Sequence, residues 1–165
     1  MNVLLPIDGS EYAAAALEEV AGRPWPEGAR VRLLHVIPSA ALSASLYSPP
    51  PPAMAMPSSR TWPAELVETH RRLTEYAQRL LVQAEARLQE SGLAVDTRMR
   101  EGDPRDEIVQ EAQSWPADLI VMGSHGYTGI KRFLLGSVAQ SVLTYAPCSV
   151  EIVRTREQRA ADSAA

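Results

Sequence analysis

The chain has 165 residues, 45% of them hydrophobic and 22% charged, which suits one globular domain large enough for a sheet covered by helices. A net charge of −4 argues against a nucleic-acid partner, and no apolar run reaches the roughly 18–20 residues of a membrane span. The single cysteine, Cys148, excludes an internal disulfide, and "MNVLLPIDGS" lacks the basic start of a secretory signal, so a cytoplasmic protein is expected.

Val3–Ile7 reads as a strand buried on both faces, broken by Asp8-Gly9-Ser10. Ser10 is placed to cap a helix from Glu11 to about Gly22 with Ala13, Ala16, Leu17 and Val20 on one side. "RVRLLHVIP" from Arg30 is a second strand, stopped by Pro38. Residues 39–63, "SAALSASLYSPPPPAMAMPSSRTWP", form a Pro-rich mobile loop, because the proline run forbids a regular hydrogen-bonded ladder. A long helix from about Ala64 to Ser91 carries Leu66, Leu73, Ala77, Leu80, Ala84 and Leu88 at helical spacing, and Gly92 ends it. "LAVDTRMR" is a third strand. Asp103 then caps a helix that has Pro104 at its first position and Asp106 and Glu107 in its first turn. Asp118–Met122 is the fourth strand, Gly136 to about Tyr145 the last helix, and "CSVEIV" the fifth strand before a flexible tail, 156–165.

Strict alternation without hairpin signals requires right-handed crossovers and parallel pairing. The expected fold is a single doubly wound parallel α/β sheet of five strands in three layers, α/β/α, over residues 1–155. In such sheets ligands sit past the C-terminal strand ends, where the winding reverses. Two strand ends carry turn-forming polar residues: Asp8-Gly9-Ser10 and the segment from Gly123. Four of the nine glycines, Gly123, Gly126, Gly129 and Gly136, fall in the second segment. Gly123 and Gly126 allow close main-chain approach, while Gly136-Ser137 opens a helix whose free N–H groups favour an anion. Lys131 and Arg132 add charge between them. Two readings stand for this loop, a phosphate cradle and a plain strand-to-helix turn. A P-loop is not supported, because G-x-x-x-x-G-K-[ST] is absent. A dinucleotide fingerprint fails as well, since the first turn is "DGSEYA" and no acidic residue closes the second strand.

The spacing Gly123-x2-Gly126-x9-Gly136-Ser137 resembles the nucleotide-binding motif of the universal stress protein family, in its ATP-binding branch. "VLLPIDGSEYAAAAL", "LLHVIP", "GDPRDEIVQEA", "ADLIVMGSHG" and "APCSVEIVR" are similar to that family's successive elements. The resemblance implies a Rossmann-like sheet of order 3-2-1-4-5, with Asp8 and Gly123 on either side of one crevice. It further implies that Asp8 accepts from the ribose hydroxyls, with the Gly123 main chain nearby. Pro6 and Ile7 border the adenine, and the Val36 main chain meets its edge. Gly126, Gly136, Ser137 and Val138 meet the phosphates. Met122 and His125 complete the expected set, although Met122 suits the core and His125 suits a loop-stabilising role. Mg²⁺ would be held by phosphate oxygens and water. His35, His70 and His125 have no metal-site spacing, and Cys148 reads as a small buried residue.

The functional expectation is an ATP-binding regulatory module in stress response. Its alternatives are a slow ATPase or self-phosphorylating enzyme, for which no general base is evident, and a nucleotide-free scaffold. The last strand, as an edge, exposes unpaired main-chain groups, and the resemblance implies a homodimer through it.

Overall fold

A computed structural model describes residues 1–39, 64–126 and 135–155. The Pro-rich segment beyond Ser39, the loop residues Gly129, Lys131 and Arg132, and the tail 156–165 lie outside the described residues. Five strands, β1 (Asn2–Pro6), β2 (Arg30–Pro38), β3 (Ala94–Gly102), β4 (Leu119–Gly123) and β5 (Ser149–Val153), alternate with helices. The described helices are α1 (Glu11–Gly22), α2 (Ala64–Gln89), α3 (Pro104–Ser114) and α4 (Ser137–Tyr145). Every neighbouring pair is parallel and the order is β3-β2-β1-β4-β5, the doubly wound arrangement expected.

The period of two along each strand sorts side chains to the two faces. Val3, Leu5 and Ile7 of the first strand segment, with Val31, Leu33 and Val121, pack against α1 and α2 through Ala13, Ala16, Val20, Leu81 and Leu88. Leu4, Leu34, Ile120 and Met122 pack on the opposite face against Ile108 and Ala112 of α3 and Ala139 and Val142 of α4. Val3, Leu4 and Leu5 are fully buried, which explains why β1 reads as an unbroken apolar run.

Local signals set the boundaries. Ser10 Oγ accepts from the Ala13 N–H at 3.2 Å, and Asp103 Oδ1 accepts from the Arg105 N–H at 2.9 Å. β1 starts one residue earlier than the apolar run, because Asn2 donates to Asp118 Oδ2 at 2.7 Å while its carbonyl accepts from the Asp118 N–H at 2.8 Å. α2 stops at Gln89 rather than Ser91: Ser91 and Gly92 close tighter turns onto the Leu88 and Gln89 carbonyls, and Gly92 adopts φ 78°. Leu81 is buried in α2, whereas Leu73 and Leu80 are only half-buried.

A buried ionic network fastens α3 to the sheet. Glu111, 2% exposed, accepts from Arg32 Nη1 at 2.8 Å and from Arg100 Nε at 2.5 Å. Arg32 also pairs with Asp96 on β3, Arg100 with Glu107, and the Arg32 guanidinium stacks 4.4 Å from the Trp115 ring centroid. Glu107 is the largest cause holding the Arg100 pKa above its ordinary value.

Candidate ligand site at the reversal of winding

β1 and β4 are adjacent, and their chains leave toward opposite faces, β1 into α1 and β4 toward α4. A cleft beyond their C-terminal ends is therefore dictated by topology. On the β1 side, Asp8 Oδ1 accepts from the Ser10 N–H at 2.9 Å, an Asx turn that leads directly into the capped start of α1. Gly9 has φ 87°, and a Cβ there would collide with the Tyr76 hydroxyl from α2. That hydroxyl also lies 3.4 Å from the Asp8 carbonyl, a long contact. His35 Nδ1 lies 2.8 Å from the Ile7 carbonyl, which can only accept, so Nδ1 carries the proton. The His35 ring meets Tyr76 edge-on, with centroids 6.2 Å apart. Burial lowers the His35 pKa, opposed by its bond to Ile7 and by the charge of Asp8.

On the β4 side, Gly123 is buried beneath α1, and a Cβ on it would lie 2.6 Å from the Tyr12 carbonyl carbon. Ser124, also buried, donates its N–H to the Val153 carbonyl at 3.1 Å. Its carbonyl accepts from the Gly136 N–H at 2.9 Å, which ties the two ends of the glycine-rich loop together. His125 sits 3.1 Å from Ser124 Oγ through Nδ1, and its ring stacks tilted on Tyr12 with centroids 5.2 Å apart. A Cβ on Gly126 would lie 2.8 Å from Asp8 Oδ2, so the Asp8 carboxylate packs close against the bare Gly126 Cα. A Cβ on Gly136 would come within 3.2 Å of His125 Cα.

Gly136 then opens α4, and among the described residues no side chain caps it. The first-turn N–H groups of Ser137, Val138 and Ala139 therefore have no partner inside the helix, and with the dipole they form a patch of positive potential. The Gly136 N–H is already used by Ser124, so the anion-directed donors begin at Ser137.

Of the residues expected from sequence, Gly126 approaches the Asp8 carboxylate and Gly136 approaches His125, while Gly123 packs against Tyr12 of α1. Pro6 and Val36 are half-buried at the ends of β1 and β2. Ile7 and Met122 are each 6% exposed, with side chains in the two opposite cores. Tyr12, His35, Tyr76 and Ser124 were not anticipated. For His35 a signal existed, a polar residue inside the apolar stretch "LLHVI"; for the tyrosines none did. Two surface hollows lie elsewhere, one along β5 lined by Glu19, Glu151 and Arg154, the other between α3 and α4. Neither brings uncapped main-chain donors to a carboxylate, so the strand-end cleft is the stronger candidate. Among the described residues, no group of three His, Cys, Asp or Glu stands close enough to hold a metal ion.

A five-stranded parallel sheet of order β3-β2-β1-β4-β5 with helices on both faces defines a doubly wound α/β protein. The universal stress protein family model matches residues 1–154, and the chain belongs to that family. Universal stress protein MJ0531 of Methanocaldococcus jannaschii is 33% identical over 153 residues, covering 93% of this chain and 81% of the relative. The solved structure of the hypothetical protein MJ0577 superposes with a TM-score of 0.78 at 30% identity, covering 94% of this chain and 96% of that one. A universal stress protein family structure from Arabidopsis thaliana with AMP bound shares the fold, with a TM-score of 0.64 at 18% identity and coverage of 96% and 94%.

Proposed function

We propose that this protein binds ATP in the cleft between β1 and β4 and acts as a nucleotide-responsive regulatory module in stress response. The observation that carries the reading is the Asp8 carboxylate set 2.8 Å from the Cβ position of Gly126, with the uncapped start of α4 behind it. An acidic acceptor beside a site of positive main-chain potential matches a ligand that carries hydroxyl donors at one end and anionic oxygens at the other. A nucleoside phosphate has that polarity, and an AMP-bound protein of the same fold supports the class. In this reading Asp8 accepts from the ribose hydroxyls, and Pro6, Ile7 and the Val36 main chain border the adenine. Gly123, Gly126 and Gly136 keep the cleft clear, and the Ser137 and Val138 N–H groups with the Ser137 hydroxyl meet the phosphates. Mg²⁺ is carried by phosphate oxygens and water.

The protein works as a cytoplasmic homodimer joined through β5. Occupancy of the cleft alters the glycine-rich loop or the dimer, and a partner protein reads the change.

Extraction of the purified protein followed by anion-exchange chromatography tests this reading. An adenine nucleotide should co-purify or bind on addition, and ATP should survive hours of incubation with Mg²⁺. Protein that emerges empty and takes up no ATP in calorimetry would refute the reading. Rapid release of phosphate would move it to an enzyme.

A further inference from the structure

The torsions of Asp8 lie between two peptide planes, and each plane is held by a side chain from another element. The Ile7–Asp8 peptide is fixed by the Ile7 carbonyl, which accepts from His35 of β2 at 2.8 Å. The Ile7 N–H is fixed in turn on the Leu34 carbonyl at 2.8 Å. The Asp8–Gly9 peptide is fixed by Tyr76 of α2, whose hydroxyl reaches the Asp8 carbonyl and fills the space where residue 9 would carry a Cβ. With both planes held, φ and ψ of Asp8 are set, and so is the direction of its Cα–Cβ bond, while the Ser10 N–H bond to Oδ1 orients the carboxylate. Oδ1 is taken by the Ser10 N–H, which leaves Oδ2 directed at Gly126.

We infer that His35 and Tyr76 are positioning residues for the sugar contact: they hold the main chain of residues 7–9 so that Asp8 distinguishes a ribose from a sugar without its hydroxyls. The inference rests on the nucleotide reading above. His35 is 7% exposed, and its Nδ1 bond is short. Loss of that bond leaves a carbonyl without its partner next to the residue that makes the contact, so the strand end turns to find another donor. Tyr76 acts more weakly through its long hydrogen bond and more strongly through volume, so its removal loosens the Gly9 side of the turn.

The test measures binding of ATP and of 2′,3′-dideoxy-ATP to the full chain by calorimetry, with the affinity ratio as the readout. Wild type should prefer ATP, and Asp8→Ala should abolish the preference. His35→Leu, which keeps an apolar side chain in the buried position, should lower the ratio about tenfold, the effect of one hydrogen bond to a charged group, with dideoxy binding unchanged. His35→Asn, whose amide nitrogen can donate from near the place of Nδ1, should restore the ratio. In the Asp8→Ala background, His35→Leu should have no further effect on it.

A folded His35→Leu protein with the wild-type ratio overturns the inference, as does one that loses both nucleotides equally, which marks a purely structural role. If His35→Leu does not fold, Tyr76→Leu, which removes both the hydroxyl and the ring end that crowd Gly9, carries the same test, and an unchanged ratio there overturns the inference equally. Wild type that binds ATP without sugar preference removes the Asp8 contact but leaves the nucleotide reading. Wild type that binds neither nucleotide removes both.

Discussion

Gly123 and Gly126 lie three residues apart at one strand end, yet a methyl group on each should have different consequences. A Cβ on Gly123 would lie 2.6 Å from the Tyr12 carbonyl carbon and 2.7 Å from its oxygen, all of it helix backbone. Carbon contacts prefer about 3.5–4.0 Å, so α1 would have to retreat by roughly 1 Å. The first turn of α1 is pinned by the Ser10 cap, and its buried Ala13, Ala16 and Val20 would lose contact in the retreat. Overpacking costs about 1–3 kcal/mol, and a rigid obstacle places Gly123→Ala near the upper end. At about 2–4 °C per kcal/mol for a chain of this size, the melting temperature should fall by roughly 5–10 °C.

Gly126→Ala instead meets Asp8 Oδ2, the far end of a side chain that can swing aside. Swinging it breaks the Oδ1 bond to the Ser10 N–H, so stability should fall by about 1 kcal/mol, while the displaced carboxylate lowers ATP affinity. Thermal unfolding by circular dichroism and calorimetric ATP titration of both variants separate the two effects. Equal melting losses in the two variants would refute this division of labour. So would a Gly126→Ala protein that is stable and binds ATP as tightly as wild type.

Three further outcomes are expected. Glu111→Ala removes a buried acceptor from Arg32 and Arg100, and breaking such a pair costs about 3 kcal/mol or more, even though each guanidinium retains a second carboxylate; a loss below about 1 kcal/mol in urea unfolding would contradict the network's role. Burial holds His35 below its ordinary pKa, so the unfolded chain takes up the proton first as pH falls. Stability from this group is full above about pH 6.5 and declines below it until the folded state is also protonated, and His35→Asn should flatten that part of the profile; superimposable denaturation profiles for the two proteins between about pH 7 and 5 would refute the assignment. Light scattering at micromolar concentration should return twice the monomer mass, and a single-chain mass would remove the β5 dimer.

The fold was legible because its signals are local and redundant. Unbroken apolar runs, a serine cap, the Asp103-Pro104 start and Gly92 each act within a turn of the chain. The main errors were at ends: α2 stops early because its last turn tightens, which periodicity does not encode. The ionic network was illegible for another reason. Arg32 in "RVRLLHV" and Glu111 beside Ala112 each look like exposed charges on amphipathic elements. Only the packing of α3 over β2 and β3 brings them within 2.8 Å and buries them.

The site was legible as a spacing and illegible as a set of contacts. Three glycines at fixed separation mark where main chain must pass closely, but they do not say what passes. Gly123 makes room for α1, and Gly136 makes room for His125 Cα while its N–H closes the loop on Ser124. Only Gly126 has its clearance turned toward Asp8. The described glycines thus mark close main-chain passages at the winding reversal, and the polar side chains beside them come from outside the glycine spacing. Asp8 and the uncapped α4 supply the polar groups, and His35 and Tyr76, from β2 and α2, fix how Asp8 points. In the proposed reading, a chain that kept the glycine spacing and lost Asp8, His35 or Tyr76 would keep the turn without the sugar contact. For that reason, substitutions at those three positions test ligand choice more sharply than any at the glycines.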